Sequence, residues 1–187
     1  MYSHSMALST SDARRPLVTA SALHAFARSG YHGTTVADVA REARISPAYV
    51  FKLFPSKERL FVAALDECFV QVVRALQAGA DAATDQTPLG ILDQMGEAYA
   101  DLIANRDLLL IQVHAQSVAD VPEIRESLRA GLATVTQFAK TRTGAADADV
   151  QRFIAYGQLC HLIVTAGVDD LTADWALLVA NGIRHPS

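Results

Sequence analysis

Cysteine is nearly missing from this chain. Cys68 and Cys160 are the only two in 187 residues, and each falls within an apolar helical stripe. No C-x-x-C pair and no Cys/His cluster occurs, so neither a disulfide framework nor a zinc site is expected, and no metal ligand is assigned. No apolar run approaches the roughly 18 residues a membrane span requires. The first residues lack a cationic segment followed by an apolar core, so no secretory signal is expected. A reducing cytoplasm is the compartment these absences suggest. His24, His114 and His161 come with many carboxylates but with no nucleophile–base motif, metal pair or Gly-rich phosphate loop, so neither catalysis nor a cofactor is expected. Apolar residues nowhere alternate with period two; they recur at three and four, which leaves an all-α fold.

Basic residues are also scarce overall, and the formal net charge is −4. The deficit is uneven. Residues 1–59 hold eight Lys/Arg and four Asp/Glu, whereas residues 60–187 hold eight and sixteen. A basic head on an acidic body suits a head that meets nucleic acid.

The stretch from Gly33 to Leu60 organises the rest. Thr35 reads as an N-cap, and Asp38 three residues on completes an S/T-x-x-D/E start signal. Val36, Val39, Ala40 and Ala43 then form one inward stripe. Arg44-Ile45-Ser46 breaks the helix, with Ile45 as the apolar plug of the turn. Ser46 caps the next helix and Pro47 sits at its first position, where a missing N–H is no loss. Val50 and Phe54 face inward; Ala48, Tyr49 and Lys52 lie on other faces. Pro55 ends the helix, and Ser56 caps a third, with Lys57 in its first turn. Two short helices about a tight turn read as a helix-turn-helix. Small residues at the start of its second helix suit entry into the major groove, with cations flanking for phosphate. Three ordinary core helices with a solvated cationic face are the competing interpretation.

From Arg14 to about Leu65 the chain resembles the DNA-binding domain of TetR-type (tetracycline-repressor-like) regulators. The resemblance is carried by A-F-A-R-S-G-Y-H-G-T-T-V, V-A-R-E-A and I-S-P-A-Y-V-F-K-L-F-P-S-K-E-R-L. It implies an all-α, two-domain dimer of about nine helices that binds operator DNA and a small, often hydrophobic effector. The family's phosphate-contacting positions fall on Thr35, Lys52 and Lys57. Its base-reading positions fall mainly on Ala37, Pro47, Ala48 and Tyr49; the adjoining Val36, Arg44 and Ser46 complete the expected DNA-binding set. Two residues depart from the pattern. Arg44 stands where glycine is common, and a left-handed conformation there would cost roughly 1 kcal/mol. Phe51 stands where a tyrosine hydroxyl usually reaches phosphate, so that contact is absent or taken over by Tyr49.

Along the rest of the chain, residues 1–13 read as loose, with Arg14 and Arg15 as a solvated arm or one touching DNA. A first helix is expected from about Pro16 to Ser29, with Gly30 as its stop. Long helices follow from Ser56 to Gly79 and, after a loop at 80–87, from Thr87 to Asn105, 107–119, Pro122 to Thr143 and Asp147 to Ala166. The last of these is apolar nearly all round between Phe153 and Val168, which reads as fully buried. Gly157 within it suggests a close helix crossing. A final helix is expected from a Thr172 cap through Trp175, Leu178, Val179 and Ile183. Two apolar C-terminal helices suggest a homodimer interface.

Polar groups embedded in apolar helices mark where an effector could sit, although a partner within the protein explains any one of them. They are Tyr99, Gln112, His114, Gln116, Tyr156 and His161, with Phe138 and Phe153 as an apolar wall. Tyr99, Ile103, Leu110, His114, Phe138, Phe153 and Tyr156 form the expected ligand-binding set. The reading as a whole is a ligand-responsive transcriptional regulator, a repressor in the first instance. Residues 1–58 form the DNA-binding domain, and 59–187 the effector-binding and dimerisation domain. The alternative is a helical adaptor that never binds DNA.

Overall fold

The computed structural model describes residues 10–182, and every regular element among them is an α-helix. Nine follow in order: α1 (Thr10–Gly33), α2 (Val36–Glu42), α3 (Pro47–Leu53), α4 (Lys57–Ala82), α5 (Pro88–Ile103), α6 (Arg106–Ser117), α7 (Pro122–Thr143), α8 (Asp147–Ala166) and α9 (Asp174–Ala180).

The beginning differs from the sequence reading. Helix α1 starts at Thr10, not near Pro16, and Pro16 lies inside it. The expected looseness of residues 1–9 lies outside the described residues. Arg15 is not an arm. Its Nη2 donates to the Leu53 carbonyl at 2.6 Å, and its guanidinium stands 4.6 Å from the centroid of the Phe54 ring. It thereby satisfies a carbonyl that the end of α3 leaves free. Gly30 breaks α1 as expected, with φ 70° and ψ 175°.

Helix α4 is the axis. Its first turns pack on α1, where the Phe61 ring meets Phe26 at 4.9 Å and Tyr31 at 5.6 Å between centroids. Farther along, Cys68, Phe69, Val72 and Leu76 are buried where α5 and α7 cover the helix. With 26 residues it spans about 39 Å. It runs past the expected stop because Gly79 and Ala80 are buried against α5; a Cβ on Gly79 would lie 2.7 Å from the Gln94 carbonyl. The connection to α5 is therefore 83–87. At the α4/α7 crossing a Cβ on Gly131 would lie 2.1 Å from the Phe69 ring, so only glycine fits without moving Phe69. The core runs without interruption from Val18 in α1 to Val164 in α8.

The C-terminal helices need two corrections. Helix α8 is two-faced, not fully buried: Cys160, His161, Ile163 and Val164 point inward, while Tyr156 and Leu162 are 47% and 57% exposed. Helix α9 is capped by Ala173, not Thr172, and is seven residues long. Ile183 lies outside the described residues. Trp175, Leu177 and Leu178 stand exposed on α9. No helix among the described residues is long and apolar enough to cross a membrane.

Candidate functional site

The head is shaped by short-range hydrogen bonds that the sequence encodes locally. At the start of α2 the Thr35 hydroxyl accepts from the Asp38 amide at 3.2 Å, while the Asp38 carboxylate accepts from the Thr35 amide at 2.9 Å and the Thr35 hydroxyl at 2.6 Å. This is a full capping box. These bonds, with Arg41 at 2.6 Å, pull the Asp38 carboxyl down to about 2. At the other end Arg44 takes φ 55°, its amide donates to Arg41 at 3.2 Å, and the Ile45 amide donates to Ala40 at 2.9 Å. That pair of bonds is a Schellman motif with arginine where glycine is usual. Ser46 then caps α3 by accepting from the Tyr49 amide at 3.2 Å.

This turn sets the outward face of α3. Arg44, Ser46, Pro47, Ala48 and Lys52 are exposed, as are Thr35 and Ala37 at the start of α2. Tyr49 is half-buried and packs partly on the core. Lys57 is also half-buried, with Nζ 4.5 Å from the centroid of the Tyr31 ring. The Tyr31 hydroxyl donates to Glu58 at 2.5 Å, and burial together with this carboxylate pushes the phenol up to about 12. The Val36 side chain is buried in the core, apart from the exposed face. Phe51, next to Lys52 in α3, is 49% exposed.

In the body, a cavity of about 440 Å³ opens among α4, α5, α7 and α8. Phe69, Val72, Leu76, Leu92, Val135 and Phe153 supply apolar wall. Of the expected ligand-binding set, Tyr99, Phe153 and Tyr156 line it. Ile103, Leu110, His114 and Phe138 do not. Ile103 is wholly buried in the core, and Leu110 and Phe138 pack against that core. His114 faces the other way, its Nε2 3.1 Å from the Ala27 carbonyl of α1 and its ring beneath Gly30. Gln116 donates to Gln158 at 2.8 Å on the surface. Gly157 marks no tight crossing, since a Cβ there would meet the Tyr99 ring at an ordinary 3.7 Å; it leaves room in the cavity wall. The other apolar wall residues were missed because they share the spacing of core residues. Gly96 and Gly157, both lining the space, were the available signal.

Tyr99 and Gln112 bring buried polar groups to the cavity lining, and His161 stands behind Tyr99. Gln112 donates from Nε2 to the Leu108 carbonyl at 2.8 Å and to the Tyr99 hydroxyl at 3.3 Å, and that hydroxyl lies 2.6 Å from His161 Nε2. Burial pushes the Tyr99 phenol upward and the His161 imidazole down to about 4. His161 Nδ1 is buried without a hydrogen-bond partner.

Among the described residues the chain is all-helical, with a capped helix-turn-helix at one end and a cavity within a helical body. Residues 18–64 match the family model of bacterial regulatory proteins, tetR family. The match runs from Val18 in α1 through the helix-turn-helix into α4. The chain is similar to YuxN, an HTH-type transcriptional regulator of Bacillus subtilis, with 26% identity over 117 residues. The match spans 60% of this chain but only 38% of YuxN. The fold is similar to that of FadR from Bacillus subtilis, solved with stearoyl-CoA (TM-score 0.66, 17% identity, 88% of this chain and 92% of FadR). It is also similar to that of a TetR-like regulator from a Rhodococcus species (TM-score 0.64, 18% identity, 89% and 92%). At such identities the likeness is one of fold.

Proposed function

We propose that the chain is a ligand-responsive transcriptional repressor that binds operator DNA as a homodimer and leaves it when a small lipophilic effector fills the cavity. The observation that carries this reading is the outward face of the helix-turn-helix. Pro47 and Ala48 are small enough to enter the major groove, and Tyr49, Lys52, Lys57, Thr35 and Arg44 stand around them. Ala37 and Ser46 complete the surface. The Thr35 hydroxyl is already engaged by Asp38, so it contributes by placing α2 more than by gripping phosphate.

Residues 1–58 act as the DNA-binding part, and 59–187 as the effector-binding and dimerisation part. Leu162, Trp175, Leu177 and Leu178, each more than half exposed, supply the apolar surface that a second copy covers through α8 and α9. An apolar cavity in this fold suits a lipophilic effector, and the stearoyl-CoA bound by FadR supports that choice. Coupling runs through α4, which touches both the head and the cavity. It also runs through α6, bound to α1 by His114 and by His24, whose Nδ1 lies 2.7 Å from Asp107. An effector releases DNA only by favouring the conformation with the lower operator affinity.

The test is binding of the purified protein to fragments of its own upstream DNA, and then to genome-wide fragments, across a salt series. A specific complex whose log affinity falls steeply with log salt supports the phosphate-gripping head. A folded dimer that forms no specific complex at low salt with any fragment overturns the reading, and a DNA-independent adaptor takes its place.

A further inference from the structure

Among the described residues, the buried side chains that line the cavity are hydrocarbon except for the Cys160 thiol, Tyr99 and Gln112. The Tyr99 hydroxyl already has two partners, Gln112 at 3.3 Å and His161 at 2.6 Å. Gln112 spends both amide hydrogens, one on the Leu108 carbonyl at 2.8 Å and one on that hydroxyl. The Leu108 carbonyl can only accept, so these bonds fix which end of the Gln112 amide is nitrogen. The other end, Oε1, accepts no hydrogen bond from any described residue, although Gln112 is 5% exposed. It is not walled in by protein either: the fully enclosed side-chain nitrogen or oxygen left without a partner among the described residues is His161 Nδ1 alone. Oε1 therefore opens onto the space that Gln112 borders, which is the cavity.

A buried carbonyl oxygen with both lone pairs unused is uncommon. In an apolar pocket a few such fixed groups orient what enters. An acceptor selects a donor. A ligand hydroxyl or amide N–H can bond to Oε1, whereas an ether oxygen or a carboxylate brings only lone pairs, and a carboxylate would also bury a charge. Leu108 and Tyr99 hold the amide from two sides, so the acceptor is in place before a ligand arrives.

We propose that the cavity takes an uncharged lipophile with a hydrogen-bond donor, a hydroxyl or an amide N–H, which donates to Gln112 Oε1 while the apolar body lies along Phe69, Leu92 and Phe153. Gln112 is then the residue that sets the specificity of the pocket. The proposal rests on the cavity being the effector site.

The test is calorimetric titration of the full chain near neutral pH with 1-nonanol, nonanamide, methyl octyl ether and nonanoate. The alcohol and the ether are isomers of one composition, and only the alcohol can donate. The alcohol and the amide should bind about tenfold more tightly than the ether or the carboxylate. In Gln112→Met, which keeps the volume and removes the acceptor, the lead of the alcohol over the ether should vanish while the ether binds as before. Thermal unfolding verifies that the variant folds, and the comparison of the isomers on the unaltered protein tests the donor without it. An ether or a carboxylate that binds as tightly as the alcohol would overturn the donor while leaving the effector cavity standing. A lead that survives in folded Gln112→Met would take the specificity away from Gln112. Failure of all four probes to bind would remove the cavity as an effector site, and the proposal with it.

Discussion

The head and the body handle polar groups in opposite ways. In the head, the polar side chains of α2 and α3 point outward, and the hydrogen bonds that shape the two helices run to residues three positions away: Thr35 to Asp38, Arg44 to Arg41, Ser46 to Tyr49. In the body, Tyr99, Gln112 and His161 come from three helices and meet inside, Tyr99 and His161 being 62 positions apart. A surface built from local bonds keeps its shape whatever the rest of the molecule does, which is what a reader of fixed DNA needs. A polar cluster whose hydrogen bonds join three helices shifts when those helices shift, which is what a ligand-responsive core needs.

The largest expected effect breaks the inner cluster by pH. His161 is neutral in the fold, with its imidazole lowered from 6.5 to about 4 by burial. Above pH 6.5 neither folded nor unfolded protein carries this charge, and the residue makes no pH-dependent contribution. Between pH 6.5 and about 4 the unfolded chain takes up the proton and the folded chain does not, so stability falls with falling pH. The loss is on the order of 3 kcal/mol. Urea unfolding at pH 7, 5.5 and 4.5 should show this fall, and His161→Gln should flatten it. An unchanged slope in that variant would mean that the acid sensitivity lies elsewhere.

Gly131→Ala strikes the body at its tightest crossing. The new Cβ would overlap the Phe69 ring, which must swing toward the cavity it lines. The expected cost is about 1–3 kcal/mol of overpacking, read as a lower unfolding midpoint. A smaller cavity should also weaken ligand binding, while the operator affinity of the folded fraction stays the same. Gly157→Ala sharpens the contrast with a gain. The site has room for a methyl group, and alanine is favoured inside a helix by about 1 kcal/mol, so the midpoint should rise as the cavity shrinks.

These same residues show what was legible in the sequence. The caps at Thr35, Ser46 and Ser56 and the limits of α7 and α8 were readable because each depends on a few adjacent residues. Pro16 misled because a proline can open a helix or be tolerated near its start; Arg15 bonding to the distant Leu53 carbonyl helps to hold the earlier turns of α1. The cavity was legible in part. Helical spacing identifies Phe69, Leu92 and Val135 as inward, but not whether the inward space is filled. Ile103 and Leu110 have the same pattern and land in or against solid core. His114 was singled out as an embedded polar group, yet it serves α1, a partner that lies 87 positions away and that periodicity cannot name.

The smallest effect tests the head at the one position where its local logic is strained. Arg44 holds a left-handed conformation, φ 55°, that costs a side-chain-bearing residue about 1–2 kcal/mol and glycine almost nothing. Glycine also adds about 0.5–1 kcal/mol of freedom to the unfolded chain. Arg44→Gly should therefore stabilise the protein by about 0.5–1 kcal/mol net. If that were the whole effect, glycine would be the better choice at this turn. On the proposed function the arginine has a second role, because its exposed guanidinium stands beside the DNA-facing side of α3. Stability and operator affinity should then move in opposite directions: a higher unfolding midpoint, with weaker DNA binding and a salt slope shallower by about one. A midpoint that rises with no change in DNA binding would make Arg44 a turn residue only, and would place the cationic grip on Lys52 and Lys57.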